Sequence, residues 1–142
     1  MRYLAIDPGD KRTGLAVGDD TSGIASPFDV IVTASAQHRL SRIGDVLAQE
    51  QPDAVVVGLP LNMDGSEGAP AKQARLLAQT ITQQFGVTTH MMDERLTSHV
   101  ADQQMAGHGL TRGQKKARRD ALAAAAILHD FFAWQNDQDN RP

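Results

Sequence analysis

Leu4 to Val17 reads LAIDPGDKRTGLAV, an apolar run that stops on a carboxylate, turns through Pro8-Gly9 and three charged residues, and becomes apolar again. Two strands joined by a short turn give this pattern, with Pro and Gly supplying the backbone angles that the turn needs. Side chains alternate along a strand, so in RYLAID Asp7 shares a face with Tyr3 and Ala5 and emerges at the strand's carboxyl end. An aspartate there either opens an Asx-type turn or presents its carboxylate to a site at the sheet edge.

Outward from this hairpin, positions 2–7, 13–18 and 27–33 read as three strands of an antiparallel meander. Helical spacing follows over 37–50, with Leu40, Ile43, Val46 and Leu47 on one stripe. AVVVG at 54–58 is a continuous apolar run of the kind covered on both faces. A second helix is expected over 69–85 (Ala74, Leu77, Ala78, Ile81 and Phe85 on one stripe), then the strand VTTHMM, a short helix from Thr97 or Ser98, and a long helix over 114–134. This order predicts one α/β domain, residues 1–134, built on a five-stranded mixed sheet. Strands 1 to 3 are antiparallel, strands 1, 4 and 5 parallel, and helices cover both faces. The polar residues 135–142, QNDQDNRP, are expected to be a disordered tail. Right-handed crossovers place strand four beside strand one, at the switch point where ligands gather beyond the carboxyl ends of strands.

With 142 residues, 41% of them hydrophobic, the chain can bury one sizeable core. The absence of cysteine excludes disulfides, thiolate metal sites and a cysteine nucleophile, leaving oxygen and imidazole as strong ligands. No signal-like leader and no apolar stretch near the roughly 18 residues of a membrane span occur, so a cytoplasmic protein without a membrane is expected. The net charge of -3 gives no global signature of a nucleic-acid binder. Yet five of the 14 basic residues, Arg112, Lys115, Lys116, Arg118 and Arg119, fall within RGQKKARR.

Two further acids matter. In RRDALAAAAILHDFFAW, Asp120 lies on one helical stripe with Ala124, Ile127 and Phe131, so a charge points toward the core. A buried carboxylate must be paired, protonated or bound to metal, and a salt bridge to Arg118 or Arg119 is the structural alternative. In MMDERLTS, Asp93 and Glu94 close the fifth strand, and adjacent residues face opposite sides, so one of them reaches the site. The longer Glu94 spans the gap better. Asp7, Glu94 and Asp120 together make an all-oxygen set suited to Mg2+ or Mn2+, and metal held this way supports phosphodiester displacement. Lys11 and Arg12 beside Asp7, Arg95 beside Glu94, and Lys115, Lys116 and Arg119 on the last helix are candidate contacts for nucleic-acid phosphate.

The segments LAIDPGDKRTGLAVGD, VVVGLPLNMDGSEG, DERLTS and KKARRDALAAAAIL, in this order, resemble the YqgF/RuvX family of ribonuclease H-like nucleases. The family is described as Holliday junction resolvases and as nucleases maturing the 5′ end of precursor 16S ribosomal RNA. The resemblance implies a ribonuclease H-like fold, metal-dependent cleavage of structured RNA or branched DNA, and a metal site at Asp7, Glu94 and Asp120. It also exposes a departure. Related resolvases of the RuvC type carry an acid at the end of strand four, whereas GLPLNMD here has none before Asp64, which an Asp-Gly turn explains.

Two rivals share parts of this pattern. A catalytically silent nucleic-acid-binding or ribosome-assembly factor would keep the basic run without needing the three acids. An actin-like nucleotide-binding protein would share the DPGDKRTG hairpin but clamps its ligand between two duplicated domains. A Holliday junction favours a two-fold dimer and RNA trimming a monomer, which leaves the oligomeric state open.

Overall fold

β1 (Arg2–Asp7), β2 (Arg12–Asp19) and β3 (Ile24–Val32) form the antiparallel meander in a computed structural model that describes residues 1–96 and 112–139. α1 (Ala36–Glu50) then leads to β4 (Ala54–Leu59), and α2 (Ala69–Phe85) leads to β5 (Thr88–Asp93). A single 3-10 turn over Glu94–Leu96 follows β5, and the last helix, α3, spans Arg112–Asp139. The strand order is β3-β2-β1-β4-β5, with β4 parallel to both β1 and β5. The sheet therefore has the expected mixed topology, with β1 at its switch point.

Strand alternation divides the interior into two cores. Leu4, Ile6, Leu15, Val55 and Val57 pack with Ile43 and Val46 of α1 and with Ala74, Ala78 and Ile81 of α2. Tyr3, Ala5, Ala16, Ala54 and Val56 face the other way, onto Ala124, Ile127, Leu128 and Phe131 of α3. Each large aliphatic side chain buried this way contributes about 1.5–3 kcal/mol. Helix ends follow ordinary chemistry. Ser35 caps α1 by accepting from the His38 N–H at 3.2 Å, Pro70 sits in the first turn of α2, and Gly86 ends α2 at φ 69°.

Several boundaries differ from the pattern-based ones, and three of the differences matter. β3 begins at Ile24 and runs through Pro27, which an outer strand tolerates, and a register shift opposite Leu15/Ala16 absorbs the irregularity. β2 begins at Arg12 rather than at 13, which fixes the face of that arginine. α3 continues to Asp139, so residues 135–139 are helical rather than a disordered tail, and Gln135 Nε2 donates to the Tyr3 hydroxyl at 3.2 Å. The expected short helix from Thr97 or Ser98 lies outside the described residues. Among those described, no helix is long and apolar enough to cross a membrane.

Candidate active site

Asp7 ends β1 on the face covered by α3, and its two neighbours in the sheet carry no side chain. It stands opposite Gly14 in the β1–β2 ladder. Continuing the parallel register one step past Ile6–Val57 places Gly58 on its other side. A Cβ on Gly14 would run into the backbone carbonyl of Asp120, and one on Gly58 would run into Glu94 Oε1 while lying 2.8 Å from Ile127 Cδ1. Two glycines thus clear the floor on either side of Asp7. The α3 backbone at Asp120 descends over one, and the Glu94 carboxyl settles over the other.

This crowding has an electrostatic consequence. Burial pushes the Glu94 carboxyl up to about 9, with the Asp7 carboxyl and the charge of Asp93 acting in the same direction. Burial also raises Asp7, opposed by its hydrogen bond with Glu94 and reinforced by the charge of Asp120. The pair favours one shared proton over two charges. Glu94 Oε1 is buried, and no hydrogen-bond donor among the described residues reaches it. An oxygen so placed suits a cation, because the alternatives are the shared proton or an uncompensated charge.

Asp120 is committed differently. Arg12 shares the face of Gly14 and Ala16, and its Nε donates to Asp120 Oδ2 at 2.7 Å; each side chain is about a third exposed. The partner is neither Arg118 nor Arg119, the two considered from the sequence. With Asp120 turned to Arg12, no three histidine, aspartate or glutamate side chains among the described residues are gathered tightly enough to hold a metal ion.

Asp93 faces away from this cluster. Its carboxylate accepts from the Arg95 N–H at 2.9 Å and from Arg95 Nη2 at 2.8 Å, which holds Asp93 below the usual carboxylate range. Arg95 also donates to the Met63 carbonyl at 3.4 Å, so it ties the end of β5 to the loop after β4. In that loop Asp64 accepts from the Ser66 N–H at 2.9 Å and from the Ser66 hydroxyl at 2.6 Å, with Gly65 at φ 87° between them. Asp64 is a turn residue here. Lys11, Lys116 and Arg119 are exposed, the last two on the α3 turn that reaches Asp120; the side chain of Lys115 lies outside the described residues. His90 packs between the rings of Tyr3 and Phe131 and takes no part.

The turn after Asp7 is braced by a residue that pattern reasoning passed over. Arg39 Nη2 donates to the Asp10 carbonyl at 2.8 Å and to the Thr33 carbonyl at 3.4 Å, while the Thr33 N–H donates to the Lys11 carbonyl at 2.9 Å. A cleft of about 340 Å³ between α1 and α2 opens beside Arg39, and none of the three acids lines it.

These positions predict unequal effects for the acids that close β5. Glu94→Gln is expected to slow cleavage at least about a hundredfold, because it removes the carboxylate that the sequence reading assigns to a metal. Asp93→Asn loses only a half-exposed ion pair and should stay within a few fold. Single-turnover rates decide this, and the reverse order would move the ligand to Asp93.

Residues 1–134 match the RuvX family, described as Holliday junction resolvase. The chain belongs to that family. Curated relatives agree over nearly their whole length. A protein of Anaeromyxobacter sp. (strain Fw109-5) is 41% identical, covering 93% of this chain and 96% of its own. Another, from Thiobacillus denitrificans, is 40% identical over 91% and 89%. Both bear the name "Putative pre-16S rRNA nuclease". Among solved structures, Thermus thermophilus RuvC in complex with a Holliday junction substrate matches with a TM-score of 0.56 at 21% identity, covering 96% of both chains. The fowlpox virus resolvase with its substrate Holliday junction DNA matches at 0.60 and 12% identity, covering 95% of this chain and 99% of that one. These likenesses show the ribonuclease H-like fold. As a member of the RuvX family, the chain is a nuclease, a hydrolase of phosphodiester bonds. In this RuvX-family chain the end of β4 carries Gly58 and Leu59 rather than an acid.

Proposed function

We propose that this RuvX-family chain is a divalent-metal-dependent endonuclease that acts on structured RNA and matures the 5′ end of precursor 16S ribosomal RNA, with Asp7, Glu94 and Asp120 as its metal-holding acids. The observation that supports the metal site is the partly buried Asp7–Glu94 carboxyl pair, with one Glu94 oxygen that no donor among the described residues reaches. The all-oxygen donor set fits Mg2+ or Mn2+. When bound, such an ion stabilises charge on the attacking and leaving oxygens of a phosphodiester displacement.

The chain's own residues do the remaining work. Gly14 and Gly58 let the acids converge, and Arg39 holds the turn that carries Lys11 and Arg12. Lys11 at that turn, with Lys115, Lys116 and Arg119 along α3, would meet phosphates flanking the cut, and Arg12 would join them. Phosphate contacts position a substrate without specifying its sequence, so the choice between RNA and DNA lies elsewhere. RNA is favoured because relatives near 40% identity carry the ribosomal RNA name.

Single-turnover cleavage of a precursor 16S 5′ leader and of a four-way DNA junction, side by side in Mn2+ and Mg2+, tests this. The leader should be cut at a defined site and the junction at least about tenfold more slowly. Faster cutting of the junction would reassign the substrate to branched DNA, with a dimer expected on it. No cutting of either would point to a silent assembly factor.

A further inference from the structure

Arg12 and a bound cation would claim the same oxygen. Arg12 Nε donates to Asp120 Oδ2 at 2.7 Å, and a divalent ion taking that oxygen would stand against the guanidinium charge. The backbones on both sides of the pair are closely packed. Gly14 lies directly beneath the Asp120 carbonyl, and Gly9 packs so closely on the Arg12 carbonyl that it too has no room for a Cβ. Any exchange therefore happens in the two side chains. Both are about a third exposed at the sheet edge, so the guanidinium can swing outward without disturbing the core, and an arginine fork is well matched to a phosphate.

We propose that Arg12 is a positioning residue that passes from the Asp120 carboxylate to a substrate phosphate, so that loading of the divalent cation and binding of nucleic acid favour one another. This rests on the metal site proposed above. A phosphate that draws Arg12 away frees Asp120 for the cation, and a cation on Asp120 releases Arg12 for the phosphate. The two effects are equal by linkage. Cation alone meets an Asp120 oxygen that Arg12 already holds.

The test measures Mn2+ affinity by calorimetry for the full-length chain, alone and saturated with a phosphorothioate RNA hairpin that resists cleavage. Without the hairpin, Arg12→Gln should bind Mn2+ about tenfold more tightly than wild type, a size usual for coupled sites. The hairpin should tighten Mn2+ binding about tenfold in wild type and leave Arg12→Gln unchanged. Arg12→Lys, which keeps the charge, should recover part of the hairpin effect. Equal or weaker Mn2+ binding by Arg12→Gln alone, or a hairpin effect as large as in wild type, overturns the exchange. A purely structural Arg12 would lower the melting temperature and leave the hairpin effect intact, which likewise overturns it. Asp120→Asn separates the two levels of the account. If that variant binds Mn2+ as wild type does, the metal site itself is misassigned; if it loses Mn2+ while Arg12→Gln is neutral, only the exchange fails.

Discussion

Asp7→Asn is expected to lower the single-turnover cleavage rate at least about a thousandfold, which corresponds to about 4 kcal/mol of lost transition-state stabilisation. The size follows from position. Asp7 stands between Gly14 and Gly58, with the Asp120 backbone and the Glu94 carboxyl closing over these glycines, so of the three acids it is the one that both others approach. In chelator the same variant should melt at the same temperature as wild type or slightly higher, because burial and the nearby charge of Asp120 both work against an ionised Asp7 when no cation relieves them. Loss of activity with unchanged melting separates a metal-holding acid from one that merely opens a turn. Severe destabilisation in chelator would favour the turn, and full activity would remove Asp7 from the mechanism.

Gly14→Ala should produce the largest loss of stability of any single methyl group added to the sheet. The new Cβ would meet the Asp120 carbonyl, a backbone atom that can move only if α3 moves. Overpacking against flexible side chains costs about 1–3 kcal/mol, and a rigid neighbour puts this case at the upper end or beyond. A loss of about 3 kcal/mol lowers the melting temperature of a domain this size by roughly 10 °C. If the helix lifts instead of the fold failing, Asp120 withdraws from Asp7 and cleavage falls with only modest destabilisation. Thermal unfolding alongside cleavage rates distinguishes these outcomes. An alanine that leaves both unchanged would contradict the close approach of α3 to β2.

The placement of two acids, Asp7 and Asp120, was readable from local periodicity because their elements are regular. Asp7 follows from alternation along β1, and the inward stripe of Asp120 follows from Ala124, Ile127 and Phe131, all three buried. What escaped was any feature that depends on which element lies opposite. Glycine in a strand announces a close approach without naming the visitor, so Gly14 and Gly58 gave no sign that α3 and Glu94 were what approached. The sequence marks Arg12 as a phosphate contact but not as the partner of Asp120, because a strand beginning at 13 leaves Arg12 in the turn. Counting back from Ala16 through Gly14 would have put it on the α3 face. Alternation also could not choose between Asp93 and Glu94, since β5 stops at Asp93 and Glu94 belongs to a 3-10 turn. Pro27 and the polar residues after Trp134 misplaced two boundaries for a related reason. An outer strand tolerates proline, and a solvated helix end needs no apolar stripe.

In the proposed metal site a divalent cation would take the place of the proton shared by Asp7 and Glu94. Glu94 is raised in the folded chain from 4.5 to about 9, so in chelator the folded state holds the extra proton through neutral pH. Its contribution to stability is complete below 4.5 and is lost as pH rises through about 9. A cation binding within that window must displace the proton. Mn2+ titration calorimetry at pH 7, in two buffers of different ionisation enthalpy, measures this directly. About one proton should be released per ion bound by wild type, and none by Glu94→Gln, which should also bind more weakly. Mn2+ binding without proton release in wild type, or identical titrations of wild type and Glu94→Gln, would contradict the account.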